Sequence, residues 1–324
     1  MPHLRQAIAD KMQRFYQLSV DADDEVTIFS GGTEALCSSI LGLVEPDDEV
    51  IVFEPCYDSY PPSVAMAGAT LRRIALSAPD WKLDPKILRA AFSEKTKLVV
   101  VNTPMNPCGK VFDRTELSLI AELCLEVDAL VLCDEVYAHL CYDGACHVPM
   151  ITLPGMRERT VCISSTAKTF SMTGWKIGSA VAGPEVTRAI RSSHQFVTFC
   201  TPPFLQEAMA EAIAMDDSYY TELLQGYADR RTYLCRRLPE LGFAVTPPQD
   251  TYYIAADISG LGFDDDDAFC RTLPARTGVA VLPISAFYQR LPPGPPVVRI
   301  AFCKNAETLE EACHKLERLG QAGS

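Results

Sequence analysis

The sequence predicts an α/β fold, a mostly parallel sheet sandwiched by helices, with a smaller C-terminal α+β domain. Three observations carry this. Up to about residue 183, short apolar runs alternate with amphipathic stretches, the pattern of strands and crossover helices in a parallel sheet. Beyond about residue 204 the texture changes to a long helical stretch followed by shorter strand candidates. The chain has 324 residues, 48% apolar and 22% charged, enough for roughly two packed domains and unlike a disordered polymer. The expected division is 1–208 for the large domain and 209–324 for the small one.

Residues 2–15 (PHLRQAIADKMQRF) read as a charged amphipathic helix. VTIF (26–29) precedes Ser30-Gly31-Gly32-Thr33 and a helical EALCSSILGLV. EVIVF (49–53) runs into Glu54-Pro55-Cys56-Tyr57, and KLVVV (97–101) into NTPMNPCGK, followed by the helix DRTELSLIAELCLE. ALVLC (129–133) ends at Asp134, TVCI (160–163) ends at Ser164-Ser165, and IGSAVAG (177–183) returns. The helical stretch from Phe204 is broken near Asp216-Asp217. After it come the strand candidates YYIAADI, GVAVLPI and VVRIAFC and a final helix AETLEEACHKLERL. The acidic run Asp264–Asp267 suits a helix N-terminus, and LPPGPP (291–296) a surface loop.

Composition removes several function classes. Lys plus Arg number 29 and Asp plus Glu 42, a net charge of −13, which argues against nucleic acid or an anionic membrane as partner. No apolar run reaches the ~18 residues of a membrane span, and the first residues carry no apolar core of a secretory signal. Thirteen cysteines without a CxxC pair read as free thiols; Cys133, Cys162 and Cys200 are expected in apolar surroundings, as small hydrophobes. The five histidines show no metal spacing, and neither a G-x-S-x-G elbow nor a Walker motif occurs. A cytoplasmic enzyme without a metal is expected.

Ligands of an open α/β sheet bind beyond the carboxyl ends of its strands. The residues following each strand are Gly31-Gly32-Thr33, Tyr57, Asn106, Asp134 with Tyr137, and Ser165 with Lys168. Together they supply an anion-binding turn, an aromatic face, an amide, a carboxylate, a phenol and an amine, a set suited to a phosphorylated aromatic heterocycle. A glycine turn opening a helix can present N–H groups to phosphate, although such turns are common. Asp134 ends an apolar run and needs a cation or donor partner, whether in a site or in a structural ion pair. Lys168 lies in SSTAKTFSMTGWK, eight positions before Lys176, and a desolvated lysine near a second cation can form an imine.

SGGTEAL, DEVIVFEPCYDSY, NTPMNPCGK, CDEVYAHL, SSTAKTFSMTGWKIGSAVAG, TYY and VRIAFCK together resemble the class I/II aminotransferases of fold type I, nearest to the kynurenine, glutamine and methionine branch. The resemblance covers essentially the whole chain. It implies pyridoxal 5′-phosphate anchored through an imine on Lys168, which also serves as the proton-transferring base. It further implies Asp134 against the pyridine nitrogen, Asn106 and Tyr137 on the 3′-oxygen, and Tyr57 stacked on the ring. Gly32, Thr33, Ser165 and Lys176 would hold the phosphate, and Arg299, with Asn106, the substrate α-carboxylate. The implied activity moves an amino group from an aromatic, methionine, glutamine or kynurenine-type L-amino acid to a 2-oxo acid in a homodimer, with Phe199 reaching the neighbouring site. A cysteine-conjugate β-lyase and a weakly catalytic binding protein are the alternatives. Two departures are noted: the sequence starts after the family's usual substrate-covering segment, and Asp250 stands where a glycine usually precedes TYY.

Overall fold

The computed structural model describes residues 1–319. Helix α1 (Pro2–Tyr16) leads into β1 (Val26–Phe29), α2 (Gly32–Leu43), β2 (Glu49–Glu54), α3 (Tyr60–Met66), β3 (Thr70–Ala75), α4 (Pro85–Ala91), β4 (Thr96–Asn102), α5 (Arg114–Val127) and β5 (Leu130–Asp134). Then follow β6 (Thr160–Ser165), the short α6 (Thr166–Thr169), β7 (Gly178–Val181), α7 (Pro184–Val197), α8 (Pro203–Ile213) and α9 (Asp217–Glu240). The last part comprises β8 (Ala244–Val245), β9 (Tyr253–Asp257), α10 (Asp266–Thr277), β10 (Leu282–Pro283), β11 (Val297–Ala301) and α11 (Ala306–Leu316).

The first seven strands form one sheet in the order β1-β7-β6-β5-β4-β2-β3. All its pairings are parallel except those of β7, which runs antiparallel to both β1 and β6. Alternate residues of the apolar runs feed two cores. Ile51, Phe53, Val99, Val101, Val131 and Cys133 face one side, and Val50, Val52, Leu98, Val100, Leu132 and Val161 face the other. Burial on both faces is why these strands read as continuous apolar runs. The edge strand β3 was not expected. Its Arg72 and Arg73 ion-pair with Glu49 and Glu54 of β2, a half-exposed charged pattern typical of an edge and unlike an apolar run.

The second sheet has the order β10-β11-β9-β8 and is antiparallel. Its core gathers Tyr252, Ile254, Val298 and Phe302 with Leu234, Phe269 and Leu309 of the flanking helices. Most of the expected strand GVAVLPI is irregular, and only Leu282 and Pro283 pair, with β11. The long helical stretch divides where the Asp216 side chain accepts a hydrogen bond from Ser218 N–H at 2.9 Å and caps α9. The acidic run opens α10 as expected, with Asp265 accepting from Asp267 and Ala268 N–H. Cys133 and Cys162 are buried, but Cys200 is exposed, because it follows the end of α7 and not a strand.

The junction of β1 and β7 leaves no room for a side chain at Gly178. Phe29 pairs with Gly178, and a Cβ on Gly178 would lie 2.4 Å from the Gly31 carbonyl carbon and 2.7 Å from Gly32 N. Gly178→Ala must therefore push the Ser30–Gly32 turn away from the sheet. An overpacking loss of about 1–3 kcal/mol is expected in urea unfolding; wild-type stability would show that the turn yields freely.

Candidate active site

The carboxyl ends of β1, β2, β4, β5 and β6 open into one cavity of about 310 Å³. Gly32, Thr33, Tyr57, Asn106, Asp134, Tyr137, Ser165, Lys168, Lys176 and Arg299 all line it. Every residue given a cofactor or substrate contact from the sequence is thus brought together, nine from the large-sheet region and Arg299 from the second sheet.

Each is positioned by its element. Gly31 adopts φ +88° between β1 and α2, a conformation open to glycine at little cost. The turn leaves the first N–H groups of α2 without acceptors inside the helix. Lys176 packs over it, its Nζ 3.5 Å from where a Gly31 Cβ would lie. Ser165 ends β6 and caps α6, accepting from Ala167 N–H at 3.2 Å, and so presents Lys168 one residue further on. The hydroxyls of Thr33 and Tyr57 lie 3.2 Å apart. Asn102 fixes the loop after β4: its Nδ2 donates to the carbonyls of Pro104 and Asp134 at 3.1 and 3.0 Å, and its Oδ1 accepts from Asn106 N–H at 2.8 Å. Asn106 Oδ1 in turn accepts from Arg299 Nη1 at 2.7 Å.

Asp134 is almost wholly buried, and its Oδ2 accepts from the buried Tyr60 hydroxyl at 2.7 Å. Burial pushes its carboxyl up to about 6, against the opposing hydrogen bonds from Tyr60 and Val136 N–H. Tyr60 is the donor partner that the carboxylate requires. It was not singled out from the sequence, although its place three residues after Tyr57, at the start of α3, is a readable signal. Tyr252, Tyr253 and Phe287 were also missed as individual contributors. The guanidinium of Arg299 lies 4.3 Å from the Tyr253 ring centroid and 4.9 Å from that of Phe287. Among the described residues no group of three or more His, Cys, Asp or Glu side chains could hold a metal ion.

The aminotransferase class I and II family profile matches residues 1–316, and the chain belongs to that family, whose enzymes use pyridoxal phosphate. Its structure superposes on that of N-succinyldiaminopimelate aminotransferase from Mycobacterium tuberculosis with a TM-score of 0.96 at 41% identity, covering 98% of this chain and 83% of the other. A methionine aminotransferase structure from Escherichia coli gives 0.95 at 36% identity, with 98% and 83% covered. The mouse kynurenine–oxoglutarate transaminase 3 is 37% identical over 96% of this chain and 74% of its own length.

Asp250 lies outside the cavity lining, fully buried between Gln249 and the left-handed Thr251 (φ +66°). One of its oxygens accepts from Thr251 N–H, and the Cys141 thiol is its other polar neighbour. Burial holds its carboxyl well above the usual range. The folded state then keeps a proton that the unfolded chain releases above its ordinary value of 3.8, so stability is full at acid pH and falls as pH rises. Asp250→Asn removes that slope. Between pH 5 and pH 7 the stability difference should move toward the variant by up to ~1.4 kcal/mol per pH unit. A difference independent of pH in thermal unfolding would contradict the burial argument.

Proposed function

We propose that this cavity is the active site of an aminotransferase acting on L-amino acids with apolar, amide or aromatic side chains and on 2-oxo acids. The observation that carries the reading is the convergence of Lys168, Asp134 and Arg299 on one cavity from separate elements. The residues present fit pyridoxal phosphate. The Gly31–Gly32 turn and Lys176 offer N–H donors and a cation to the phosphate, and Ser165 adds a hydroxyl. Asp134, buried with only neutral donors at hydrogen-bonding distance, suits a protonated ring nitrogen. Tyr57 offers a ring face, and Asn106 and Tyr137 offer donors to the 3′-oxygen. When bound, the cofactor supplies an electron sink for charge developing at the substrate Cα.

The chain's own residues do the rest. Arg299 grips the α-carboxylate with a planar fork that lysine cannot reproduce. Asn106, already bonded to Arg299, fixes the fork's direction. Lys168 Nζ anchors the cofactor and takes the proton from the substrate Cα. Relatives named for methionine, kynurenine and N-succinyldiaminopimelate support the amino-acid class. We also propose a cytoplasmic homodimer of two-domain chains, divided near residue 208 within α8. The exposed Phe196, Phe199 and Phe204 around the α7–α8 junction support self-association, which sedimentation checks. No helix of the described residues is long and apolar enough to cross a membrane.

Borohydride treatment of the cofactor-loaded protein should fix the label on Lys168. Lys168→Ala should lose at least ~10²–10⁴-fold in turnover, the range for removing a general base. Wild-type turnover should require an added 2-oxo acid. A label elsewhere would overturn the assignment of Lys168, and ammonia release without an oxo acid would favour the β-lyase reading.

A further inference from the structure

A carboxylate–imidazole pair stands beside the anion-binding turn, outside the cavity lining. Glu34 lies in the first turn of α2, and both of its carboxyl oxygens are taken. Oε2 accepts from Ser30 N–H at 3.0 Å, while Oε1 accepts from the Ser38 hydroxyl and meets His194 Nδ1 at 3.0 Å. The two side chains are largely buried, 11% exposed for Glu34 and 9% for His194. A carboxylate only accepts, so this contact places the imidazole proton on Nδ1. His194 is itself fixed near the end of α7. Its ring packs on Phe29, the last residue of β1, at 4.6 Å between centroids. Arg191, one turn earlier, donates to Thr27 Oγ1 and the Val26 carbonyl at 3.0 and 2.7 Å.

The place of Glu34 on its helix gives the pair a task. In a capping box a glutamate at this position turns back onto the N–H of the capping residue. Here the capping residue is Gly31, which gives its N–H to the Phe29 carbonyl at 2.8 Å, and Glu34 reaches past it to Ser30. The first bond within α2 runs from Ala35 N–H to the Gly31 carbonyl, so the N–H groups of Gly32 and Thr33 have no acceptor in the helix. They are the donors that a phosphate would use. A negative charge is itself favoured at a helix N-terminus. A Glu34 side chain free to turn would therefore settle on those N–H groups as an internal anion, in competition with any ligand. His194 and Ser38 bind the carboxylate where it serves Ser30 instead.

We propose that His194 is a positioning residue for phosphate binding: it holds the Glu34 carboxylate on Ser30 and so keeps the Gly32 and Thr33 N–H groups open to an anionic ligand. The proposal rests on the active-site reading above. His194 acts through Glu34, which has two consequences. Its effect is confined to ligands that carry a phosphate, and it disappears once Glu34 carries no charge.

The test compares two ligands on the whole chain prepared without cofactor. Pyridoxal 5′-phosphate and pyridoxal share the ring and the aldehyde and differ in the phosphate, so the ratio of their affinities reads the turn. His194→Leu should cut that ratio by about fivefold or more, the weight of one charge at a helix terminus, with pyridoxal affinity within about twofold of wild type. Adding Glu34→Gln to His194→Leu should restore most of the loss, because the competing charge is gone and the two substitutions are coupled. An unchanged ratio in His194→Leu would overturn the proposal. So would a double variant as weak as the single one or weaker, the pattern of plain structural damage. A wild type that binds pyridoxal as tightly as pyridoxal 5′-phosphate would instead overturn the active-site reading, since no phosphate would then be held. Folding of each variant is checked by its thermal transition. If His194→Leu does not fold, Ser38→Ala removes the other donor to the same oxygen and should lower the ratio by about twofold or more; no shift there would equally overturn the proposal.

Discussion

A carboxylate buried at the end of a central strand sets the terms for the rest of this site. Asp134 lies at the end of β5, in the middle of the large sheet, almost wholly buried. Raising its carboxyl from 3.8 to about 6 corresponds to ~3 kcal/mol held in the folded protein at neutral pH. That burden is what remains after the opposing hydrogen bonds from Tyr60 and Val136 N–H, both neutral donors. A cation brought to the carboxylate would relieve it further, which is why the proposed site suits a positively charged ring nitrogen. The other groups then follow from the length of such a ligand. In the proposed site the Gly31 turn and Lys176 would meet its phosphate, and Lys168 and Tyr137 its reactive edge.

The second sheet completes what the strand ends begin. Its β9 and β11 supply Tyr253 and Arg299, and the Tyr137 loop packs into the core over that sheet with Tyr252 and Phe302. The hydrogen bond from Arg299 to Asn106 and the hydroxyl contacts of Tyr137 with Tyr252 and Tyr253 tie the two sheets together at the cavity wall. A substrate carboxylate that engages Arg299 competes for, or shares, the Asn106 contact, so substrate binding reaches the loop after β4 directly.

Much of this was legible in the sequence, for physical reasons that differ by element. The interior strands announce themselves because burial on both faces demands unbroken apolar runs, as in KLVVV and ALVLC. Most site residues are readable because they stand just after such a run, where a parallel sheet presents its loops; Lys176, before β7, and Arg299, within β11, do not. The strand Thr70–Ala75 escaped because an edge tolerates Arg72 and Arg73. The pairing of Tyr60 with Asp134 spans 74 positions, and only the packing of α3 against the sheet reveals it. The tyrosine cluster joins residues more than a hundred positions apart, so TYY was visible as a motif while its contacts were not. Asp250 was noticed as an unusual residue, yet its burial away from the cavity lining depends on how the loop before β9 folds.

The most direct test of the account is the response of Asp134→Asn to cofactor in thermal unfolding at pH 8. The amide keeps the size of the carboxyl group and can still accept from Tyr60, but it carries no charge to be relieved. Without pyridoxal phosphate, the variant should be at least as stable as the wild type, and the gap should close as the pH falls toward 4, where the folded carboxyl is protonated and the unfolded one, with its ordinary value of 3.8, is nearly half protonated. Saturating pyridoxal phosphate should stabilise the wild type much more than the variant and reverse their order. Equal stabilisation of the two proteins by the cofactor would contradict the claim that the buried Asp134 charge is matched to a cation on the ligand.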